Sequence, residues 1–242
     1  MASELGSVGV VGIGTIGAGL VGKLTAAGVT VVAVEKDEAS ATAAAERTGT
    51  AVGTDLQALS GCTLVVEALP EDRGAKGGVL AEIAAVVGDD ATIATTASVL
   101  PVTALAVASG TPARVIGLHW TLPPDATGAV EIVKTPLSDA DAVETGETLA
   151  AALEQTAVTV GDKPGLVMDG LVLGYLNDAI RMVEAGYATR DDVDAAMRFG
   201  CGHPAGPLSL VDQIGLDTVQ DLLTGLYEAT GDHLLAPAPL LG

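Results

Sequence analysis

Ser7-Val-Gly-Val-Val-Gly12-Ile-Gly14-Thr-Ile-Gly17 is the stretch that decides the fold. A β-branched run of strand length meets glycines spaced G-x-G-x-x-G, and the Ala/Leu-rich segment Ile16–Ala27 then reads as a helix. Gly12 permits a tight turn, Gly14 lets a backbone approach a pyrophosphate, and Gly17 lets the helix pack closely on the strand. The helix N-terminus then faces the phosphate charge. A second β-branched run, Thr30–Glu35, ends in a carboxylate suited to the hydroxyls of an adenosine ribose. An extra 2′-phosphate would meet repulsion there, softened by the adjacent Lys36, so the pattern favours NAD. The alternative is a glycine-rich turn that binds nothing.

Outward from this motif, short β-branched runs alternate with Ala-rich amphipathic segments. Strands are expected at Val8–Gly12, Thr30–Glu35, Thr63–Glu67, Thr92–Thr95, Arg114–Leu118, Ala129–Lys134 and Ala157–Val160. Helices are expected at Ile16–Ala27, Glu38–Arg47, Glu71–Val87 and Asp139–Leu153. Such alternation builds βαβ units and a mainly parallel, doubly wound sheet of the Rossmann type, an α/β fold. Around Lys163-Pro164-Gly165 the character changes. Leu166–Ala185, Arg190–Phe199 and Leu208–Tyr227 read as three helices, and Leu234–Gly242 as an irregular tail. The spacing thus predicts a dinucleotide-binding domain over 1–162 and a smaller all-α domain over 163–242.

The chain has 242 residues, 49% of them hydrophobic but only 2% aromatic, which favours buried parallel strands and close-packed helices over an aromatic-rich sandwich. Its formal net charge is −20, which repels nucleic acid and anionic lipid, so neither is an expected partner. An anionic cofactor must then be held locally, by backbone N–H groups and a few placed cations. Cys62 and Cys201 are far apart and form no CxxC pair, which fits a reducing cytoplasm. Neither a signal peptide nor a membrane-spanning run is read.

Three histidines are present. His233 lies in a polar segment, and His203, in Gly202-His203-Pro204, has no ligand set around it for a metal. His119 ends the apolar run Val115-Ile-Gly-Leu-His119, where open α/β sheets place ligands. Glu131 interrupts the β-branched run Val130-Glu131-Ile132-Val133, and a buried carboxylate needs a partner. Paired, the carboxylate would fix the imidazole tautomer and make His119 a general base. Spacing alone leaves open that the two never meet.

Taken together, these segments resemble the L-3-hydroxyacyl-CoA dehydrogenase family over nearly the whole chain. Val65-Val-Glu-Ala-Leu-Pro-Glu71-Asp with Lys76 is similar to the segment that lies along the nicotinamide side of NAD. Ser98, in Ala94-Thr-Thr-Ala-Ser98-Val-Leu-Pro, resembles the active-site serine that hydrogen-bonds the reacting oxygen. His119 and Glu131 stand at the spacing of the family's His–Glu dyad. Pro164-Gly165-Leu-Val and Gly202-His-Pro-Ala-Gly-Pro207, with Asp212 and Gly215-Leu-Asp217, resemble the signatures of its helical domain. The resemblance implies Gly12, Gly14, Thr15, Ile16, Gly17, Glu35, Ala68, Glu71, Lys76 and Thr96 at the NAD site. It implies His119, Glu131 and Ser98 in catalysis, Asp169 facing substrate, and a homodimer; no metal is expected, since His203 and Cys201 lack further ligands.

The departures carry information too. The family's Asn-Thr-Ser is Thr96-Ala97-Ser98 here, its Phe-Asn-Pro after the dyad histidine is Trp120-Thr121-Leu122-Pro123, and its Asn-Arg is Asp169-Gly170. Only 31 residues separate Glu35 from Glu67, where the family inserts a helical hairpin that helps hold CoA. A carrier-protein-bound or small hydroxyacyl group therefore stands beside a CoA thioester as expected substrate, with a free 3-hydroxy acid as a third. Two other classes are weighed: dehydration or cyclisation without net hydride transfer, and an NAD-binding protein without dehydrogenase activity.

Overall fold

The computed structural model describes residues 5–241. The described residues divide into two compact units, one up to Lys163 and one from Pro164. The first is built on an eight-stranded sheet: β1 (Ser7–Val11), β2 (Thr30–Val34), β3 (Val52–Gly53), β4 (Leu64–Glu67), β5 (Thr92–Thr95), β6 (Val115–His119), β7 (Ala129–Lys134) and β8 (Thr156–Gly161). The spatial order is β3-β2-β1-β4-β5-β6-β7-β8. Every pairing is parallel except β6 with β7. The helices are α1 (Thr15–Ala26), α2 (Glu38–Thr48), α3 (Arg73–Val86), α4 (Val102–Ala108) and α5 (Ala140–Ala152).

Alternation along the strands sorts side chains between the two faces. Val8 and Val10, Leu64 and Val66, Ile116 and Leu118, and Val130 and Ile132 join Leu20, Leu24, Leu149 and Leu153 of or beside α1 and α5 in one buried core. The intervening residues face the other side. There α4 comes close: a Cβ on Gly117 would lie 3.2 Å from Cγ2 of Val102 and 2.7 Å from Val133. The central strands β4, β5 and β6 are buried at every position, which is why they read as continuous apolar runs.

The second unit contains α6 (Met168–Glu184), α7 (Arg190–Ala195), α8 (Pro207–Ile214) and α9 (Leu216–Thr230). The single helix expected over Leu208–Tyr227 is two. Gly215 sits between them at φ 99°, a conformation that L side chains rarely adopt, and the chain turns there. The expected helix Arg190–Phe199 is α7 followed by a wide π turn, Ala196–Gly200. Asp194 accepts hydrogen bonds from the Leu208 and Ser209 amides and from the Ser209 hydroxyl, so α7 closes the start of α8. Burial pushes the Asp194 carboxyl up, but these bonds and Arg190 outweigh it and hold the group below the ordinary 3.8.

Short 3-10 turns at His233–Leu235 and Pro239–Leu241 shape the tail. A fully buried amide holds it: Asn177 donates to the carbonyls of Leu234 (3.0 Å) and Ala236 (2.8 Å) and accepts from the Ala238 amide (2.9 Å). Asn177→Ala would strand these buried backbone groups, and we expect a loss of about 2–3 kcal/mol in this unit, measurable by urea unfolding. Unchanged stability would mean that the tail is not held by this residue. Among the described residues, no helix is long and apolar enough to cross a membrane.

Candidate active site

The strand order reverses between β1 and β4, with β2 on one side of β1 and β4 on the other. Open α/β sheets bind ligands in the crevice at the carboxyl ends of the strands at such a switch point. Here the switch point lies between the glycine-rich loop after β1 and Ala68 after β4. Gly12 has φ 87°, and a Cβ on it would lie 3.0 Å from the Ala68 carbonyl oxygen. A Cβ on Gly17 would lie 2.0 Å from the Gly12 carbonyl oxygen. A Cβ on Gly14 would meet nothing within 4 Å. Gly12 and Gly17 therefore serve internal packing, whereas Gly14 leaves an open approach to the backbone. No side chain caps the start of α1 at Gly14, so its first-turn amides, those of Thr15, Ile16 and Gly17, suit an anion. An uncapped helix end beneath an open glycine fits a dinucleotide pyrophosphate.

Glu35 follows β2 beside this loop. Its carboxylate accepts from the Ile13 amide (2.7 Å) and the Lys36 amide (3.1 Å). It thus braces the loop and keeps further lone pairs for ribose hydroxyls. Arg47, which sequence reasoning passed over, donates to the Ile13 carbonyl from α2. The two ends of the Ile13 residue are therefore held by opposite charges.

At the end of β4 lies a buried network. Glu67 accepts from Lys76 Nζ (3.1 and 3.3 Å), from the Thr95 hydroxyl (2.6 Å) and from the Leu69 amide (2.6 Å). Lys76 is fully buried and engaged with this carboxylate, so it is not displayed as an exposed cation. Thr96 donates its amide to the Glu67 carbonyl (3.0 Å). The neighbouring Glu71 reaches the loop after β5: it accepts from the Ser98 amide (2.7 Å) and, more loosely, from the Leu100 amide (3.4 Å). Ser98 is 5% exposed.

The dyad forms. His119 and Glu131 are directly opposite on antiparallel β6 and β7, and His119 Nδ1 lies 2.8 Å from Glu131 Oε2. Both are buried, on the face of the sheet opposite Leu118 and Ile132. An antiparallel pair brings directly opposed side chains together on one face of the sheet. The loop between the strands is fixed by Gln155, which accepts from Trp120 Nε1 (3.0 Å) and donates to the carbonyls of Pro124 (2.8 Å) and Thr127 (3.0 Å). The register Val11↔Glu67, Glu67↔Thr95 and Thr95↔Gly117 aligns the ends of β1, β4, β5 and β6. The glycine-rich loop, Ala68, Ser98 and His119 therefore emerge from one edge of the sheet.

In the second unit Asp169 is buried in the first turn of α6. His203 stands near the Tyr175 hydroxyl, 3.4 Å from Nδ1, and His233 is exposed. Among the described residues no cluster of three or more His, Cys, Asp or Glu side chains is placed to hold a metal ion.

Residues 48–163 match the model of the 3-hydroxyacyl-CoA dehydrogenase NAD binding domain, and residues 165–242 that of the same family's C-terminal domain. The chain is 38% identical to a 3-hydroxybutyryl-CoA dehydrogenase of Mycobacterium tuberculosis (strain ATCC 25618 / H37Rv), over all of this chain and 93% of that protein. It is 32% identical to the mitochondrial hydroxyacyl-coenzyme A dehydrogenase of Homo sapiens, over 81% of this chain and 64% of that one. Among solved structures, M. tuberculosis FadB2 superposes with a TM-score of 0.91 at 37% identity, covering 97% of this chain and 91% of that one. The (S)-3-hydroxybutyryl-CoA dehydrogenase PaaH1 of Ralstonia eutropha superposes with a TM-score of 0.88 at 28% identity, covering 98% and 92%.

Proposed function

Because the chain belongs to the 3-hydroxyacyl-CoA dehydrogenase family, whose members are NAD-dependent oxidoreductases, we propose that it interconverts a 3-hydroxyacyl thioester and its 3-keto form, with His119 as the acid–base group. The observation that carries this reading is the buried 2.8 Å contact between His119 Nδ1 and Glu131. A carboxylate can only accept, so Nδ1 carries the proton and Nε2 keeps its lone pair. Nε2 then takes the proton of the 3-hydroxyl, and Glu131 balances the imidazolium that results. Ser98 donates a hydrogen bond to the reacting oxygen. NAD, when bound, supplies the hydride acceptor. Gly12, Gly14, Thr15, Ile16 and Gly17 would hold its pyrophosphate and Glu35 its ribose, with Ala68, Glu71, Lys76 and Thr96 shaping the nicotinamide side. Lys76 would act there through Glu67, and Asp169 would contribute to substrate contacts from the helical domain.

The alignment with the M. tuberculosis relative runs over 266 positions, more than the 242 of this chain, so that relative carries insertions. Between β2 and β4 this chain has only α2, β3 and one 3-10 turn, Leu56–Gly61. A short segment and a net charge of −20 offer little grip on CoA phosphates, which favours a carrier-protein-bound or small hydroxyacyl group. The exposed apolar side chains Leu171, Met182 and Phe199 of the helical unit suit a homodimer, and two free cysteines suit the cytoplasm. The test is NADH oxidation with acetoacetyl groups on CoA, on pantetheine and on an acyl carrier protein. The proposal expects turnover of all three, with kcat/KM for CoA no higher than for pantetheine. A strong preference for CoA would overturn the carrier reading, and turnover of none would overturn the thioester reading.

A further inference from the structure

Asp162 stands at the end of the sheet unit, immediately after β8, and its carboxylate is turned back onto the start of α4. It accepts from the Val102 amide (3.1 Å), the Thr103 amide (2.7 Å) and the Thr103 hydroxyl (2.5 Å). The residue that opens α4 is Pro101, which offers no side-chain cap, so Asp162 supplies the acceptors that the helix start lacks from sixty residues away in the chain.

What this fixes is the ground between the two reacting groups. Ser98 lies four residues before Val102, in the loop Ser98-Val99-Leu100-Pro101. The upstream end of that loop is held by Glu71, through the Ser98 and Leu100 amides. The downstream end is held by Asp162. Val102 itself packs over Gly117, where an added Cβ would lie 3.2 Å from its Cγ2. Gly117 is two residues before His119 and shares its face of the strand. Moving the start of α4 would therefore move Ser98 relative to His119 while leaving the glycine-rich loop untouched.

We propose that Asp162 is a positioning residue that clamps the loop between β5 and α4 and so sets the separation of the Ser98 hydroxyl from His119. The inference rests on the role given to Ser98 above. Glu71 is a poorer probe, because it also flanks the nicotinamide side.

The experiment measures kcat, KM and the NADH dissociation constant for wild type, Asp162→Ala, Ser98→Ala and the double variant, with an acetoacetyl thioester as substrate. We expect Asp162→Ala to lower kcat about tenfold, as for groups coupled through one network, and to leave NADH affinity unchanged. In the Ser98→Ala background it should have no further effect on kcat. Should Asp162→Ala not fold, Asp162→Asn serves instead. It keeps one acceptor oxygen but turns an N–H toward a donor, so its loss should be smaller and equally absent when Ser98 is gone. If the two losses multiply in the double variant, the clamp does not act through Ser98 and the proposal falls alone. If Ser98→Ala keeps wild-type kcat, the role of Ser98 falls and takes the proposal with it.

Discussion

His119→Ala should lower kcat by on the order of 10³-fold while NADH still binds with near wild-type affinity. The ring sits at the end of β6 and not on the glycine-rich loop, so its loss removes proton transfer and leaves the cofactor crevice whole. It also leaves Glu131, fully buried, without its imidazole. The variant should therefore be less stable than wild type at neutral pH, by about 1–3 kcal/mol. Glu131→Gln should keep the fold and still slow the reaction, because a neutral amide balances an imidazolium poorly. Stopped-flow NADH oxidation alongside fluorescence titration of NADH separates the two effects. Equal loss of binding and turnover would move His119 out of the acid–base role and into cofactor binding.

Gly17→Ala should weaken NADH binding by about 100-fold, a change of ~2.7 kcal/mol. The added Cβ would lie 2.0 Å from the Gly12 carbonyl oxygen, so the loop and α1 must separate. In the proposed site the Gly12 turn and the first-turn amides of α1 would face the pyrophosphate, and they would move together with that separation. Gly14→Ala makes the comparison informative. Its Cβ would meet no protein atom, so the apo fold should keep its stability while the ligand's approach is obstructed. Titration of both variants, with thermal unfolding of the apo proteins, checks this. Wild-type affinity in Gly17→Ala would show that the close approach is not needed for the dinucleotide.

The pattern around Gly12 was legible because it is local. A strand, three glycines and a helix start are set by neighbours in sequence, and the tight turn at Gly12 and the close helix packing at Gly17 are those the spacing implied. The His119–Glu131 contact was only half legible. A charge inside a β-branched run demands a partner, but which one depends on β6 and β7 running antiparallel, and nothing in either strand states its direction. The missing parts are all non-local. Asp162 reaches α4, Gln155 reaches Trp120, Arg47 reaches Ile13 and Asn177 reaches the tail across long stretches of chain, and single polar residues carry no periodic signal. The short helix α4 was missed for a related reason: seven apolar and small residues after a proline do not distinguish helix from loop until Asp162 is seen to cap them. Gly215 is the reverse case. An amphipathic pattern ran through it, and the break lies in one backbone angle.

The most direct test of the account is the fate of the hydride. The protein would be incubated with an acetoacetyl thioester and NADH deuterated at C4 of the nicotinamide, using each C4 stereoisomer in turn, and the acyl product analysed by mass spectrometry. The account predicts a 3-hydroxyacyl product that carries one deuterium at C3 from one stereoisomer, with NADH consumed in equal amount and neither change seen with His119→Ala. A product without deuterium, or an acyl group dehydrated or cyclised while NADH stays constant, would contradict hydride transfer at this site.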